Sequence, residues 1–525
     1  MQGTRVQVLE NIDGWIKDPK APQIFWLTGH AGSGKSAIGH TVCTCAKEDP
    51  DIILGGSFFC SRSAGSVAQR DVRCIIPTLA QLLARQSPEF SVALAAELER
   101  DPDILDKQIT VQVELLLQKP LAALEGWPKQ ILFVIDALDE CGSQLSSNGT
   151  LDDPNSHKIV SAMLEALVAL SRSPIRLPVK FLVTSRPETH IRDTPISDVA
   201  FSKVLLLHKV DKTQITEDIR LFISAQLLKN TKARGSESFA EDDAELLALL
   251  CDGLFIVATT ALQYAFDAGM DLAPVRFQTL LNATRDGLDT GVVAPLDSMY
   301  ALILTDATRA NKNEANTLSA MLKSLAALLA ARMTLSVSAL ADLLGVSPGY
   351  VRASLSHLHA VVHVPEIDIE PGLRTLHASF GDYLLGRADV RYRINPALGD
   401  MVLANGCLQV MANQLHFNIS QSRSSYESNR AERPDGITLA LEYACLHWIH
   451  HIARVPPRSQ GSRFRDRLTA VFTRTPSLSV FSEMDEKISS VFRPRLLFWL
   501  EVMSMLKQVR RAAAMLVFAV GTVRL

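Results

Sequence analysis

The amino-acid sequence predicts an α/β core, a parallel sheet with helices on both faces, followed by all-α and winged-helix domains. Between residues 24 and about 210, short apolar runs alternate with longer amphipathic segments, which is the order typical of a parallel sheet covered by helices. After Asp211 the apolar residues recur at helical spacing instead. The chain has 525 residues, which is too long for a single hydrophobic core, so we expect several domains.

Five apolar runs are the predicted strands of the sheet: residues 24–28, 53–60, 131–135, 179–184 and 204–207. Two helical patterns between them, residues 72–85 and 158–170, are long enough to cross over a sheet. The polar segment 142–157 is an expected long loop. Downstream, residues 213–228, 242–252 and 254–268 predict helices, with a break near residues 287–295.

The segment that follows the first strand has the spacing G-x-x-x-x-G-K-S. A predicted helix, residues 36–46, follows the motif, as a phosphate-binding loop requires. Small residues there let backbone N–H groups converge on phosphate oxygens, the lysine adds charge, and the serine hydroxyl can bind Mg²⁺. The predicted nucleotide contacts are Gly29, His30, Ala31, Gly32, Ser33, Gly34, Lys35, Ser36 and Ala37. A chance match in a glycine-rich turn is the alternative, and the flanking elements argue against it.

Acidic residues follow the third predicted strand. Asp136 ends this strand, at the edge where open α/β sheets bind ligands, and can hold Mg²⁺ together with Ser36. Asp139 or Glu140 can then orient a water molecule as a general base. Taken alone, three acids in five residues are more typical of a solvated loop.

The fourth predicted strand leads directly into Arg186. A guanidinium at a strand tip can pair with phosphate oxygens, so we predict that Arg186 contacts the γ-phosphate. A surface salt bridge is the alternative. The three elements in this order predict binding of ATP or GTP with Mg²⁺, and they favour hydrolysis.

These residues resemble the nucleotide-binding core of NACHT-type STAND ATPases, especially the fungal, nephrocystin-3-like group. The resemblance rests on GHAGSGKS at residues 29–36, DALDEC at 136–141 and TSRPE at 184–188, and D-x-x-D-E is its most specific sign. It extends through Gly3-Thr4-Arg5, Trp15, GLFI at 253–256, LHASF at 376–380 and residues 443–451.

The resemblance implies a slow Mg²⁺-dependent ATPase that works as a switch, closed with ADP, open with ATP, and oligomeric when active. It also implies that His377 touches the β-phosphate of ADP; a core histidine is the alternative. Family members usually carry an effector domain before the core and a repeat array after it, so the alternatives for this chain are a fragment, a truncated paralogue or a protein that works with partners in trans. Signalling of the innate-immunity or cell-death kind is a family expectation. The predicted domains are a lead-in helix at 1–20, the NACHT P-loop NTPase domain at 21–210, a helical domain at 211–314, a winged helix at 315–390 and a C-terminal helical domain at 391–525.

Two further functions are alternatives. One is a nucleotide-locked scaffold with little turnover. The other is a nucleotide-regulated DNA-binding protein, because residues 334–358 read as helix, turn and helix, with strands predicted at 360–364 and 373–377. Its second helix, 348–359, offers only Arg352 to a phosphate backbone, so we expect no nucleic-acid partner.

Composition agrees with a globular protein. The formal net charge of −3 creates no global basic field, and the eight cysteines form no C-x-x-C pair, which indicates a reduced, intracellular chain. The longest apolar runs fall short of a membrane-spanning helix, so we expect a cytoplasmic location.

Two C-terminal segments have open interpretations. His447, His450 and His451 are spaced to share a helical face, where zinc is conceivable but a packing helix is favoured. Residues 492–511 are apolar on most faces, which suits packing against another domain or subunit, or a membrane surface.

Overall fold

A computed structural model describes the chain over residues 3–62, 67–124, 128–141, 154–172, 178–198, 200–232, 241–267, 272–289, 295–309, 314–367, 372–421, 436–455 and 478–522. Most of the predicted loop at 142–157 therefore lies outside the described residues. Its last four residues belong to a helix that begins at Pro154.

The predicted parallel sheet is present and has five strands. They are β1 (Ile24–Thr28), β2 (Ile52–Phe59), β3 (Gln130–Asp136), β4 (Val179–Ser185) and β5 (Ser202–Leu206). All pairings are parallel, in the order β2-β3-β4-β1-β5. Every residue of β1 and β4 is buried, as expected for strands covered on both faces.

This strand order determines where the predicted site residues meet. β4 lies between β1 and β3, and its Ser185 is level with Thr28 at the end of β1. The carboxyl ends of β1, β4 and β3 are therefore side by side, so the loops that follow them share one edge of the sheet.

Two hydrophobic cores cover the two faces of the sheet. Along β1, Ile24 and Trp26 belong to one core, while Phe25 and Leu27 belong to the other. This alternation follows from the two-residue period of a strand. The sheet is thus a layer between helices, which confirms the predicted fold class.

Helices of this α/β part flank the sheet. They are α1 (Val6–Lys17), α2 (Lys35–Glu48), α3 (Ile75–Ala84), α4 (Pro88–Arg100), α5 (Ile109–Val113), α6 (Lys119–Leu121), α7 (Pro154–Ser171) and α8 (Thr189–Arg192). The helix predicted from residue 72 begins as the 3₁₀ turn Val72–Cys74, because the Asp71 side chain accepts the Arg73 backbone N–H there.

A helical block follows the sheet. Its helices are α9 (Lys212–Lys232), α10 (Glu241–Leu250), α11 (Phe255–Asp267), α12 (Ala273–Asp289) and α13 (Pro295–Arg309). The predicted break near 287–295 begins later than expected, since α12 continues through Gly287 to Asp289.

The chain divides into two compact units. Described residues up to Leu302, together with His377–Ser379, form the first unit; the described residues of 303–376 and 380–525 form the second. The helices of the second unit are α14 (Glu314–Ala330), α15 (Val337–Leu344), α16 (Pro348–Leu355), α17 (Ala378–Asp382, its first two residues in the first unit), α18 (Pro396–Gln414), α19 (Leu439–Arg454), α20 (Leu478–Met505) and α21 (Val509–Thr522).

An antiparallel pair follows α15 and α16. Its strands are β6 (Val362–His363) and β7 (Arg374–Thr375), and a further antiparallel bridge joins Leu335 to Leu373. Helix, turn, helix and strand pair thus come in the predicted order.

Packing in the C-terminal part uses much of its apolar surface. Trp448 and Trp499 are both buried and meet edge to face, and Met503 is also buried. Leu497 and Phe417 are 75% and 80% exposed. Among the described residues, no helix has the length and hydropathy that a membrane crossing requires.

Candidate functional site

The phosphate-binding loop joins β1 to α2, as predicted. Gly32 and Gly34 have φ angles of +75° and +91°, a region that residues with side chains rarely adopt, so the loop needs glycine at both positions. Lys35 opens α2, and its buried Nζ donates hydrogen bonds to the carbonyl oxygens of Gly29 and His30, at 2.8 and 2.9 Å. Burial lowers the pKa of Lys35, and the nearby carboxylates oppose this shift.

Several loop positions have further contacts. The His30 ring lies 5.3 Å from the His208 ring, measured between centroids. Within the described residues, the buried Ser33 hydroxyl has no hydrogen-bond partner. Ala37 lies in the first turn of α2. A hydroxyl without a partner beside a helix start is consistent with a loop shaped for an anion.

Asp136, at the end of β3, is held by the Thr184 hydroxyl. This hydroxyl donates to Asp136 Oδ1 at 2.5 Å and accepts the Ala137 backbone N–H at 3.0 Å. The Ser36 hydroxyl is near enough to lower the pKa of Asp136. Burial raises the pKa of Asp136, and these two hydroxyl groups oppose that rise.

These oxygen atoms fit a magnesium ion. Ser36 and Asp136 were predicted as its ligands from the sequence, and in the structure the Ser36 hydroxyl is near enough to Asp136 to influence its pKa. A hydroxyl and a carboxylate are hard oxygen donors, the type that Mg²⁺ prefers. Sequence reasoning did not assign Thr184 a role, although it stands on β4, the strand beside β3.

Asp139 lies in the 3₁₀ turn Leu138–Glu140 and is paired with Arg186. Its Oδ1 accepts the Arg186 backbone N–H at 2.9 Å, and its Oδ2 lies 3.2 Å from Arg186 Nε. The Asp139 side chain is 2% exposed and that of Arg186 is 18% exposed. The pair is therefore a largely buried ion pair at the ends of β3 and β4. Arg186 does form a salt bridge, as the alternative expected, but the bridge is not on the surface.

Glu140 has a different partner. Its Oε2 accepts the Arg62 backbone N–H at 3.0 Å, and Arg62 Nη2 donates to the Asp139 carbonyl oxygen at 3.3 Å. Burial and the neighbouring Asp139 charge raise the pKa of Glu140, while Arg62 lowers it. Sequence reasoning missed Arg62. The available signal was its position shortly after β2, the strand that lies beside β3.

The phosphate-binding loop also contacts two segments that are distant in sequence, one before β1 and one in the helical block that follows the sheet. Ile256 donates its backbone N–H to the Gly32 carbonyl at 3.2 Å, and Arg5 Nη2 donates to the Ser33 carbonyl at 2.9 Å. The Arg5 guanidinium lies 5.2 Å from the centre of the Phe255 ring, and the Arg5 backbone N–H donates to Asp218 Oδ2 at 3.1 Å. The motifs at 3–5 and 253–256 thus meet at the loop.

His377 belongs to the same compact unit as the loop. Its Nδ1 accepts the Ser379 backbone N–H at 3.1 Å and lies 2.6 Å from the Ser379 hydroxyl, which in turn bonds the Tyr300 hydroxyl at 2.9 Å. An Nδ1 that accepts a backbone N–H leaves the proton of the neutral ring on Nε2.

The first part of the chain is similar to a known family. Residues 3–186 match the family described as Nephrocystin 3, N-terminal. The matched residues contain the phosphate-binding loop, the Asp136–Glu140 segment and Arg186, which ends the match. The match supports a P-loop NTPase core of the NACHT/STAND type in this part of the chain.

Solved structures similar to most of the chain include the following three proteins. A STAND protein with a tetratricopeptide repeat sensor from Pyrococcus horikoshii is 11% identical, with a TM-score of 0.37, and the match covers 95% of this chain and 57% of that chain. Cdc6p from Pyrobaculum aerophilum is 12% identical, with a TM-score of 0.28 and coverage of 78% and 94%. The ORC2 protein of Aeropyrum pernix in its ADP form is 12% identical, with a TM-score of 0.30 and coverage of 72% and 82%.

This chain therefore spans little more than half the length of the Pyrococcus protein. A search of the curated proteins found no match.

The predicted histidine cluster beyond the NTPase domain lies on the packing helix α19. His451 Nδ1 is 2.7 Å from Asp400 Oδ1, and the Tyr443 hydroxyl is 2.8 Å from His451 Nε2. Within the described part of the chain, no group of three His, Cys, Asp or Glu side chains is arranged for a metal ion.

Arg352, on the second helix of the helix-turn-helix, donates to the Pro365 carbonyl.

Proposed function

We propose that this chain binds ATP with Mg²⁺, hydrolyses it slowly, and works as a molecular switch in signal transduction. One observation carries the proposal: Lys35, the Ser36–Asp136 pair and the Asp139–Glu140 segment converge at the carboxyl edge of β1, β4 and β3. A phosphate cradle, a metal-binding oxygen pair and a candidate general base are the parts that phosphoryl transfer to water requires.

Each residue has a distinct role in this proposal. The loop amides and Lys35 bind the phosphates, while Ser36 and Asp136 hold Mg²⁺, which neutralises developing negative charge. Thr184 orients Asp136 through its 2.5 Å hydrogen bond. Arg186, held by Asp139 at the end of β4, is proposed to pair with the γ-phosphate.

Glu140 is the candidate general base. Asp139 already accepts two hydrogen bonds from Arg186, so it is engaged in holding that residue. The pKa of Glu140 is raised, and a carboxylate with a higher pKa is a stronger proton acceptor. A general base works best when its pKa lies near the working pH. We therefore assign Asp139 to positioning Arg186 and Glu140 to the water.

The switch part of the proposal concerns His377 and the segment around it. We propose that residues 315–390 are a winged-helix domain and that His377 Nε2 donates to the β-phosphate of ADP. The Ser379 backbone N–H bonded to Nδ1 favours the tautomer that such a contact needs. A ligand that contacts His377 in one domain arrangement only shifts the equilibrium between arrangements.

Self-association in the ATP state, with effector or sensor partners in trans, is part of the same proposal. It is the mechanism expected from the STAND resemblance, in which exchange of ADP for ATP opens the molecule. We propose that the bound nucleotide carries adenine, and GTP is the nucleotide used for comparison.

The test uses purified full-length chain. Phosphate release is measured with ATP and with GTP, for the wild type and for Glu140→Gln, and oligomeric mass is measured with ADP and with a non-hydrolysable ATP analogue. We expect Mg²⁺-dependent turnover that Glu140→Gln abolishes, and a larger mass with the ATP analogue. Tight binding with no turnover would instead indicate a nucleotide-locked scaffold, and equal masses in both states would contradict the switch.

A further inference from the structure

Arg62 is bonded to the acidic segment through both its backbone and its side chain. Its N–H donates to Glu140 Oε2 at 3.0 Å, and its Nη2 donates to the Asp139 carbonyl at 3.3 Å. Arg62 follows β2, whose ladder with β3 pairs Phe59 with Asp136 and continues through the bond from the Cys60 N–H to the Asp136 carbonyl, at 3.0 Å. The backbone of Arg62 is thus anchored close to the turn that carries Glu140.

We propose that Arg62 is a positioning residue, which holds the Glu140 carboxylate in place for attack on the nucleotide. This inference rests on the proposed function and extends it to a third strand of the sheet. The backbone N–H fixes one carboxylate oxygen, and the guanidinium clamps the turn one residue earlier. Glu140 Oε1 is left to orient water, because Oε2 is engaged.

The two arginines divide the acidic pair between them. Arg186, which follows β4, binds the Asp139 carboxylate. Arg62, which follows β2, donates its backbone N–H to the Glu140 carboxylate. The charged and titratable groups that influence Glu140 or are influenced by it are Asp139, Arg62, Arg186, Lys35 and Cys60. The Arg62 and Arg186 charges both lower the pKa of Glu140, and of the two residues Arg62 is the one whose backbone N–H is bonded to its carboxylate.

A kinetic comparison separates positioning from simple folding support. Arg62→Met keeps the backbone N–H bonded to Glu140 and removes the guanidinium that holds the Asp139 carbonyl. It should therefore lower kcat by about tenfold or more while nucleotide affinity changes by less than about threefold, because the guanidinium holds the turn that carries the base and not the phosphate loop. Arg62→Lys should recover part of kcat, since it restores the charge without the fork. The control is Arg73→Met, which removes an exposed arginine paired with Asp71 in the same region. An Arg62→Met enzyme with wild-type kcat would overturn the proposal.

A second measurement does not depend on turnover. Thermal unfolding at pH 8 is compared for wild type, Arg62→Met, Glu140→Gln and the double variant, which isolates the coupling between the two side chains. We expect Arg62→Met to lower Tm more in the wild-type background than in the Glu140→Gln background, because only the former leaves a carboxylate without its counter-charge. Equal losses in both backgrounds would overturn the inference about Arg62.

The two readouts distinguish this inference from the proposed function. A wild-type chain without any turnover would contradict hydrolysis, and the unfolding cycle would still decide whether Arg62 acts on Glu140. Normal turnover with no coupling in the cycle would reject Arg62 and leave the proposed function intact. If Arg62→Met fails to fold, the cycle is run with Arg62→Lys, for which a smaller coupling of the same sign is expected.

Discussion

Arg186 is bonded to both carboxylate oxygens of Asp139, through its backbone N–H at 2.9 Å and its Nε at 3.2 Å. The sequence predicted both residues as catalytic candidates without indicating that they are partners. Asp139 is thereby committed to Arg186, and Glu140 becomes the carboxylate with a different partner and a raised pKa. The two acids of the D-x-x-D-E motif therefore have different partners, and we propose different roles for them.

Separate substitutions test this division of roles. Glu140→Gln should reduce kcat by roughly 100-fold or more, the size of effect associated with a lost general base, and leave the Kd for Mg-ATP nearly unchanged. Asp139→Asn should lower the Tm of the chain, because breaking its buried ion pair with Arg186 costs about 3 kcal/mol. Phosphate-release assays and thermal unfolding measure the two effects. A Glu140→Gln chain that turns over normally would mean that the base is misassigned.

Thr184 provides a test of the metal site. Thr184→Val keeps the side-chain shape and removes the hydroxyl that bonds Asp136 Oδ1. A hydrogen bond to a charged group contributes about 2 kcal/mol, so nucleotide affinity in Mg²⁺ should fall by roughly tenfold or more. Affinity in EDTA should change little, because the loop and Lys35 are untouched. Equal losses with and without Mg²⁺ would show that Thr184 supports the fold and not the metal.

Gly32 of the phosphate-binding loop packs closely against Ile256 of the helical block. A Cβ at this position would lie 2.0 Å from Ile256 Cγ2, and the φ of +75° adds backbone strain. Gly32→Ala should therefore raise the Kd for nucleotide at least tenfold, as measured by calorimetry, and adding Ile256→Ala should recover part of the loss. Gly14→Ala is the control, since a Cβ there meets nothing within 4 Å. Unchanged affinity in Gly32→Ala would contradict the close contact.

The strands were readable from the sequence because each is a short apolar run, and the residues of β1 and β4 are all buried. Predicted and observed bounds agree for 24–28 and differ by one or two residues for the others. Strand order was not readable, since periodicity reports burial and not neighbours. Arg62 was missed for the same reason: a charged residue after a strand is typical of a solvated loop until β2 is known to adjoin β3.

The buried histidines predict how stability depends on pH in the second unit. Burial lowers the pKa of His447 and His451, and lowers that of His450 to about 3. Below about pH 6.5 the unfolded chain binds protons that the folded chain does not, so stability should fall as the pH drops from 7 to 5. The effect is at most about 2 kcal/mol at pH 5 for a fully buried imidazole.

Thermal unfolding of His447→Phe across this pH range measures that contribution. The phenyl ring can keep the contact with Tyr443, whose ring centre lies 4.9 Å from that of His447. Its Tm should decline less than that of the wild type between pH 7 and 5. The exposed His416 supplies the control, His416→Phe, which should follow the wild-type curve. Parallel curves for His447→Phe and wild type would contradict the prediction.

Calorimetric titration of Lys35→Ala with Mg-ATP tests nucleotide binding most directly. Lys35 opens α2 with its Nζ buried in the loop, so its loss should weaken binding by roughly 100-fold or abolish it, equivalent to about 3 kcal/mol. Lys47→Ala, in the last turn of the same helix, should bind as the wild type does. Wild-type affinity in a folded Lys35→Ala chain would contradict the account.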